Sequence, residues 1–177
     1  MLYRNFPLPV KFISSFIYQQ EEVYQKTRLM LERKFGKIDF ETNSLEFNFT
    51  HYYTKEMGAP LYRRFASFLK LKRPDELVNI KLFCMKIEKK FAKNDKRSIN
   101  IDPGYINEAK LVLTTTKDYH HRLYVGRGIF EEVTLYYAKS GYRDFDTTYP
   151  DYRTPEYKKY FLEIRDNYRK QIKDNEK

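Results

Sequence analysis

The sequence has no tryptophan, one cysteine and only three histidines among its 177 residues. A lone Cys84 cannot form an internal disulfide, and so few thiol and imidazole groups cannot complete the common zinc sites. We therefore expect a cytoplasmic protein with no disulfide and no bound metal. No apolar run is long enough to cross a bilayer, and prolines and Lys11 interrupt the segment where a secretion signal needs continuous apolar residues. We expect no membrane partner.

The sequence also lacks the glycine-rich motifs that hold nucleotides and the short motifs of the commonest hydrolases. With six glycines, the chain contains neither a GxxxxGK[ST] phosphate loop nor a GxGxxG dinucleotide turn. It contains no GxSxG nucleophile elbow, no HExxH zinc helix and no match to the aromatic consensus of an RNA-recognition motif. We therefore expect no cofactor, and a nucleotide or RNA would have to bind by other means.

Positive charge and aromatic rings are what the sequence has in excess. Its 34 lysines and arginines outnumber 24 aspartates and glutamates, which gives a net charge of +10. A surface of that sign attracts phosphate-bearing ligands and polyanions. The 17 tyrosines and 14 phenylalanines provide enough large side chains for a hydrophobic core. At this length we expect one domain over residues 1–177, with a polar tail that frays from about residue 173.

Hydrophobic periodicity divides the first part of the chain into strands and helices. Runs of β-branched and aromatic residues predict strands, whereas apolar residues at spacings of three and four predict helices. The predicted elements are a strand over 9–18, a helix over 21–35, strands over 44–50 and 61–71, a helix over 74–91 and a strand over 98–101. This order predicts an α+β fold: an antiparallel sheet with a ferredoxin-like strand-helix-strand-strand-helix-strand core and helices on one face.

The second part of the chain is predicted to extend this core by a C-terminal hairpin and helix. The glycines and prolines mark turns, and Thr154 suits the N-cap position of the last helix. The predicted elements are a turn at Pro103-Gly104, a helix over 107–116, a hairpin of 119–125 and 129–137 about Gly126-Arg127-Gly128, and a helix over 155–172.

The predicted hairpin sorts its side chains onto two faces. Pairing across the loop places Val125 opposite Ile129 and Arg122 opposite Glu132, with apolar side chains turned inward and ionic ones outward. His121 then falls on the apolar face and is expected to be a core histidine. Because neighbouring strand residues point to opposite faces, it cannot share a metal ion with the preceding histidine.

Four polar residues suggest a small cofactor-independent hydrolase or transferase. In this hypothesis Asp102, His121, Arg122 and Glu132 converge at one end of the sheet. Arg122 would hold an anionic group of the substrate, and Glu132 or His120 would exchange protons with it. The alternative interpretation is an ordinary cross-strand ion pair between Arg122 and Glu132.

Aromatic residues beside cations suggest a different hypothesis, the binding of an anionic ligand such as a nucleotide or nucleic acid. The loop over 51–57 contains Tyr52, Tyr53, Lys55 and Glu56, a mixture that suits stacking on bases. Lys117 supplies further positive charge, and residues 149–153 repeat the mixture of ring and charge. A third hypothesis is a protein-interaction scaffold that exposes an apolar patch.

Six phrases occur in order along nearly the whole chain, namely KFGKIDFE, FTHYYTKEMG, NIDPGYI, KLVLTTTKDYHHR, GIFEEVTL and TYPDYRTPEY. Together they resemble an uncharacterised prokaryotic family, domain of unknown function 4416. The resemblance implies no reaction. It implies that the family's recurring polar positions correspond here to Lys55, Glu56, Asp102, Tyr105, Lys117, His121, Arg122, Glu132, Tyr149 and Asp151. Tyr105, Tyr149 and Asp151 therefore join the ligand-binding candidates.

Overall fold

Strands and helices follow one another along the chain, with strands in the majority. The computed structural model describes residues 6–175. Its elements are β1 (Lys11–Tyr18), α1 (Glu21–Phe35), β2 (Ile38–Glu41), β3 (Leu45–Glu46), α2 (Thr54–Met57), β4 (Tyr62–Phe68), α3 (Leu77–Phe91), β5 (Ile99–Ile106), β6 (Lys110–Thr115), β7 (Leu123–Gly126), β8 (Ile129–Ala138), β9 (Gly141–Asp144) and α4 (Pro155–Asn175). α4 continues beyond its predicted end at residue 172, and residues 176 and 177 of the predicted tail lie outside the described range.

The strands form one antiparallel sheet, which confirms the predicted α+β class. The strand order is β2-β4-β1-β5-β6-β8-β7, with β3 paired to β4 and β9 paired to β8. β1 lies inside the sheet and pairs antiparallel with β4 and β5. The predicted strand over 44–50 is confirmed only at β3, and β2 has no counterpart among the predicted strands.

Neighbouring residues of β1 point to opposite faces of the sheet, so each face has its own hydrophobic core. Phe12 belongs to a cluster that includes Leu31 of α1 and Cys84 of α3. Ile13 belongs to a second cluster that includes Phe161 of α4. α1 and α3 therefore cover one face, and α4 covers the other. Burial raises the pKa of the Cys84 thiol, so this cysteine packs in the core as an unreactive side chain.

The predicted helix over residues 107–116 is wrong, because this segment forms strand β6. Its sequence KLVLTT contains several β-branched residues, which favour a pleated strand over a helix. The side chain of Asn107 accepts hydrogen bonds from the backbone N–H groups of Ala109 and Lys110, at 3.0 and 2.9 Å. These contacts turn the chain tightly from β5 into β6.

Pro103 and Gly104 lie inside β5, so the turn predicted at this point is also wrong. Both residues instead shape the pairing of β5 with β6. Proline has no N–H group to donate to a neighbouring strand. At Gly104 the backbone of β6 passes so close that an added β-carbon would lie 2.2 Å from the carbonyl oxygen of Val112. The chain needs glycine here because two strands approach each other closely.

The predicted hairpin is confirmed as β7 and β8. Its loop residues Gly126, Arg127 and Gly128 have φ angles of 105°, 56° and 76°, the left-handed region that glycine adopts most easily. Tyr124 pairs with Phe130, as predicted. A bulge then places Gly126 opposite Ile129, so the predicted pairing of Val125 with Ile129 is wrong.

The predicted orientation of the hairpin is confirmed at Ile129 and Leu135, which are buried, and is wrong at other positions. Leu123, on the face expected to point inward, is 74% exposed. Glu132 and Thr134, on the face expected to point outward, are buried. The polar face lies within the fold because it borders a polar cleft, and alternation along a strand does not distinguish such a cleft from solvent.

Candidate functional site

β5 and β6 pair over only part of their length, and the space between them is a cleft. Their ladder joins residues 104–106 to residues 111–113. On the part of β5 that precedes residue 104, two side chains of α3 form the hydrogen bonds that a neighbouring strand would otherwise form. Lys81 donates to the carbonyl oxygen of Ile101 at 3.0 Å, and Glu88 accepts from the Ile101 N–H at 2.6 Å. The cleft has a volume of about 670 Å³.

Rings and charged groups in similar numbers line the cleft. The rings belong to Phe47, Phe49, Tyr52, Tyr53, Tyr149 and Tyr152. The charged groups belong to Arg63, Lys81, Arg97, Lys117, Glu88, Asp102, Glu132 and Asp151. Four cations and four carboxylates cancel in formal charge. The cleft therefore does not share the strongly basic character of the whole chain.

A buried ion pair forms one wall of the cleft. Arg63 of β4 donates through Nη2 to Oδ2 of Asp151 at 2.5 Å, and through Nη1 to the hydroxyl of Ser15. Its guanidinium group lies 4.6 Å from the centre of the Phe47 ring. Burial raises the pKa of the Asp151 carboxyl, and the adjacent guanidinium opposes that rise. The pair holds the segment before α4 against the sheet.

Lys81, Asp102 and Asn100 form a second polar group, on the floor of the cleft. Lys81 Nζ lies 3.3 Å from Oδ1 of Asp102, and Asn100 donates to Oδ2 at 2.6 Å. Burial alone would lower the pKa of Lys81, but the carboxylates of Asp102 and Glu88 raise it. Burial raises the pKa of Glu88. Lys81 thus stays charged while fixing the position of the Asp102 carboxylate.

Glu132 is the centre of a third polar group. Arg122 Nε donates to its Oε2 at 2.8 Å, which confirms the predicted pairing of these residues. His121 Nε2 lies 3.0 Å from the same oxygen, so its predicted place in an apolar core is wrong. Residues 119–122 precede β7, and strand alternation does not apply to them. Arg122 also donates to the hydroxyl of Tyr149 at 2.6 Å.

Exposed rings surround the mouth of the cleft. Phe49, Tyr52 and Tyr149 line the cleft and are also exposed to solvent. Lys117 donates to the Tyr52 hydroxyl at 3.0 Å, and its ammonium group lies 4.3 Å from the centre of that ring. This contact links the loop around α2 to the end of β6 across the opening. The mouth therefore offers flat apolar surfaces with one cation beside them.

A bidentate ion pair fixes the loop over residues 51–57, at the mouth of the cleft, to the body of the protein. Arg97 donates to both carboxylate oxygens of Glu56, at 2.9 and 2.7 Å. Its remaining nitrogen donates to Asn100 at 2.6 Å. The hydrogen bonds from Arg97 lower the pKa of Glu56. Glu56 thus fixes the loop over residues 51–57 from behind.

Glu56→Gln should loosen this loop without unfolding the protein. The amide keeps one oxygen but loses the charge and the second acceptor, so we expect the free energy of unfolding to fall by roughly 1 kcal/mol. Limited proteolysis within residues 51–58 should become several-fold faster, because local opening exposes the loop. Lys55→Ala is the matched control, since Lys55 is exposed on the same helix. Equal proteolysis of both variants would contradict this prediction.

The structure brings most of the predicted site residues to this cleft, and their roles stay predictions. Those that line it are Tyr52, Tyr53, Asp102, Lys117, Glu132, Tyr149 and Asp151. Those that contact its lining from behind are Glu56, His121 and Arg122. Lys55 points to solvent, and Tyr105 is buried in the core beneath α3. Sequence patterns missed Arg63, Lys81, Glu88, Arg97 and Asn100.

The charged groups of the cleft are not arranged as a metal site. Across residues 6–175, no three His, Cys, Asp or Glu side chains are grouped to hold an ion. Nor does a helix in that range combine the length and apolar composition needed to span a bilayer. The volume and lining of the cleft are those of a place for a small molecule.

Comparison with curated proteins gave no match, and neither did comparison with solved structures. One family model, Domain of unknown function (DUF4416), matches residues 8–168. The matched range contains every residue that lines the cleft. It also contains all six phrases on which the resemblance was based. The chain therefore belongs to the family of domain of unknown function 4416.

Proposed function

We propose that this protein binds one small organic ligand of about nucleotide size in the cleft between β5 and β6. The observation that carries this proposal is the cleft itself, whose volume of about 670 Å³ falls within the range of small-molecule sites, about 300–1,000 Å³. Its mixture of rings with a few fixed polar groups is also typical of such sites. A cleft of this size holds a monomeric ligand, so a nucleic acid strand is a less suitable occupant.

The mouth and the floor suit different parts of such a ligand. The exposed rings of Phe49, Tyr52 and Tyr149 offer stacking surfaces for a planar ring. The Asp102 carboxylate on the floor is held by Lys81 and Asn100 and is positioned to accept hydrogen bonds from the ligand. Lys117 at the mouth is the group best placed to attract an anionic substituent.

Tyr52→Ala should weaken ligand binding without a large loss of stability. A base–aromatic stack contributes about 1–3 kcal/mol, so we expect binding roughly 5- to 160-fold weaker. The measurement is a thermal-shift screen of nucleobases, nucleosides and nucleotides, followed by calorimetry on each compound that raises the melting temperature. Tyr119→Ala is the matched control, because Tyr52 and Tyr119 are 55% and 60% exposed and Tyr119 does not line the cleft.

Two outcomes would contradict the proposal. In the first, no compound in the screen raises the melting temperature of the unmodified protein. In the second, a compound binds equally well to the Tyr52 and Tyr119 variants, which would place its site away from the mouth. A ligand that binds more weakly to the Tyr52→Ala variant but not to the Tyr119→Ala variant supports a binding site in the cleft.

A cofactor-independent hydrolase or transferase is the second candidate function. The supporting observation is that Asp102 and Glu132 both line the cleft, so two carboxylates face a common space. His121 and Arg122 contact Glu132 from behind and would act by positioning it. Chemical conversion of a ligand found in the screen, monitored by chromatography, would favour this candidate over simple binding.

The strand order supports two further proposals about the fold. Strands β2, β4, β1 and β5 are neighbours in that order, and α1 and α3 share one hydrophobic cluster. We propose on this basis that the first half of the chain is a ferredoxin-like unit. The remaining strands continue the same sheet, which supports a single domain. An exposed apolar strip on β7 supports the scaffold hypothesis less strongly.

A further inference from the structure

We propose that the cleft selects an uncharged, ring-bearing ligand of the nucleoside class over its phosphorylated forms. This inference rests on the proposed function and names the ligand class for the same site. It departs from the expectation that a chain with a net charge of +10 binds an anion. The reason lies in how the charges of the cleft are paired.

The cations of the cleft interior are already matched by carboxylates. Arg63 lies 2.5 Å from Asp151, and Lys81 lies 3.3 Å from Asp102. The third cation, Arg97, pairs with Glu56 at 2.7 Å. The carboxylate in contact with each of these groups carries the opposite charge and offsets most of the attraction that a second anion would feel. The interior cations therefore offer a phosphate little net attraction.

The carboxylates of the cleft would repel a phosphate. Asp102 lies on the floor, and Glu88 and Glu132 face the same space. Arg122 compensates Glu132 from behind, so this cation is not available to the ligand either. Placing a dianion among these groups brings like charges together where water is partly excluded, and such contacts are unfavourable. The fourth lining cation, Lys117, contacts the hydroxyl and ring of Tyr52 at the mouth and so does not offset the carboxylates of the interior. The interior therefore favours a ligand without net charge.

An uncharged nucleoside matches the groups that are available. Each oxygen of the Asp102 carboxylate accepts one hydrogen bond from the protein and has a further lone pair for a hydroxyl or amino group. The side chain of Asp102 is 28% exposed, so a ligand can reach it. The rings at the mouth stack on a heterocycle regardless of its charge.

Matched pairs of a nucleoside and its 5′-monophosphate test this inference. The pairs are adenosine with AMP, guanosine with GMP, cytidine with CMP and uridine with UMP, measured by calorimetry on the full chain. We expect one nucleoside to bind at least about tenfold more tightly than its monophosphate, with affinity changing less than about twofold between about 50 and about 200 mM salt. Asp102→Asn should weaken nucleoside binding about tenfold or more, whereas Asp95→Asn, an exposed control, should not.

The remaining outcomes overturn the inference in distinguishable ways. A monophosphate that binds more tightly than its nucleoside, loses affinity steeply with salt and depends on Tyr52 overturns the ligand class but leaves the proposed function intact. Binding by no member of the four pairs overturns the ligand class, and a wider screen that is also negative overturns the proposed function. Because the paired comparison uses the unmodified protein, it does not depend on whether the Asp102 variant folds.

Discussion

Gly104→Ala should destabilise the protein by roughly 3 kcal/mol or prevent its folding, since a group forced into a packed site costs about this much or more. An alanine β-carbon at this position would lie 2.2 Å from the carbonyl oxygen of Val112 and 2.8 Å from Cδ2 of Leu113. The first of these neighbours is backbone, so it cannot move aside as the end of a side chain would. Relief requires that β6 separate from β5, and their ladder is short. Urea unfolding followed by circular dichroism measures the effect.

Gly141→Ala provides the control for this experiment. No atom lies within 4 Å of the position of its β-carbon. We expect a change within about 0.5 kcal/mol, as for most surface substitutions. Similar unfolding free energies for the two variants would show that β6 can shift away from β5 at little cost. The close approach of these strands would then not be a constraint on the fold.

Arg63→Met should cost about 3–5 kcal/mol, because it leaves the carboxylate of Asp151 buried without its counter-ion. Both side chains of this pair are less than a tenth exposed. The double variant Arg63→Met with Asp151→Leu should recover much of the loss, since a buried ion pair replaced by apolar groups is often near neutral. The control is Lys26→Met, which breaks an exposed ion pair with Glu22 and should change stability by less than about 0.5 kcal/mol.

The cost of Arg63→Met should also depend on pH. Burial raises the pKa of Asp151 above its unfolded value, and loss of the guanidinium raises it further. A carboxyl with a raised pKa in the folded state stabilises the fold at low pH, and this contribution is lost as the pH rises through the folded pKa. The difference between the variant and the unmodified protein should therefore be larger at about pH 7 than at about pH 4.5. A difference that is constant or grows in acid would contradict this account.

Local signals in the sequence were sufficient for several elements of the fold. The glycines around Arg127 identified the β7–β8 hairpin, and the spacing of apolar residues identified α1, α3 and α4. The segment of β6 was predicted as a helix because its short apolar run fits either period, although it pairs with the preceding strand β5 across a tight turn. The pair Pro103-Gly104 predicts a turn by its residue types, whereas its role in the fold depends on the close approach of β6.

Sequence patterns predicted the aromatic loop and the hairpin ion pair of the candidate site but not its buried charged residues. The aromatic loop and the pairing of Arg122 with Glu132 were identified from composition and hairpin geometry. Lys81 and Glu88 each follow an apolar residue of α3, Leu77 and Cys84, by four positions, so they lie on its apolar face. A charged residue on that face was the sequence feature that could have identified them. Arg63 was missed because its partner Asp151 lies 88 residues away along the chain.

Lys81 and Glu88 have a consequence for how β5 aligns when the protein folds. These two side chains satisfy both polar groups of the Ile101 backbone on the side away from β1. A slip of β5 by one residue would rotate those groups toward β1 and leave an ammonium and a carboxyl group of α3 buried without partners. Misaligned forms are therefore destabilised in two ways: they lose contacts between strands, and they bury charged groups without partners. The same helix that borders the cleft thereby selects the correct alignment of the strand beside it.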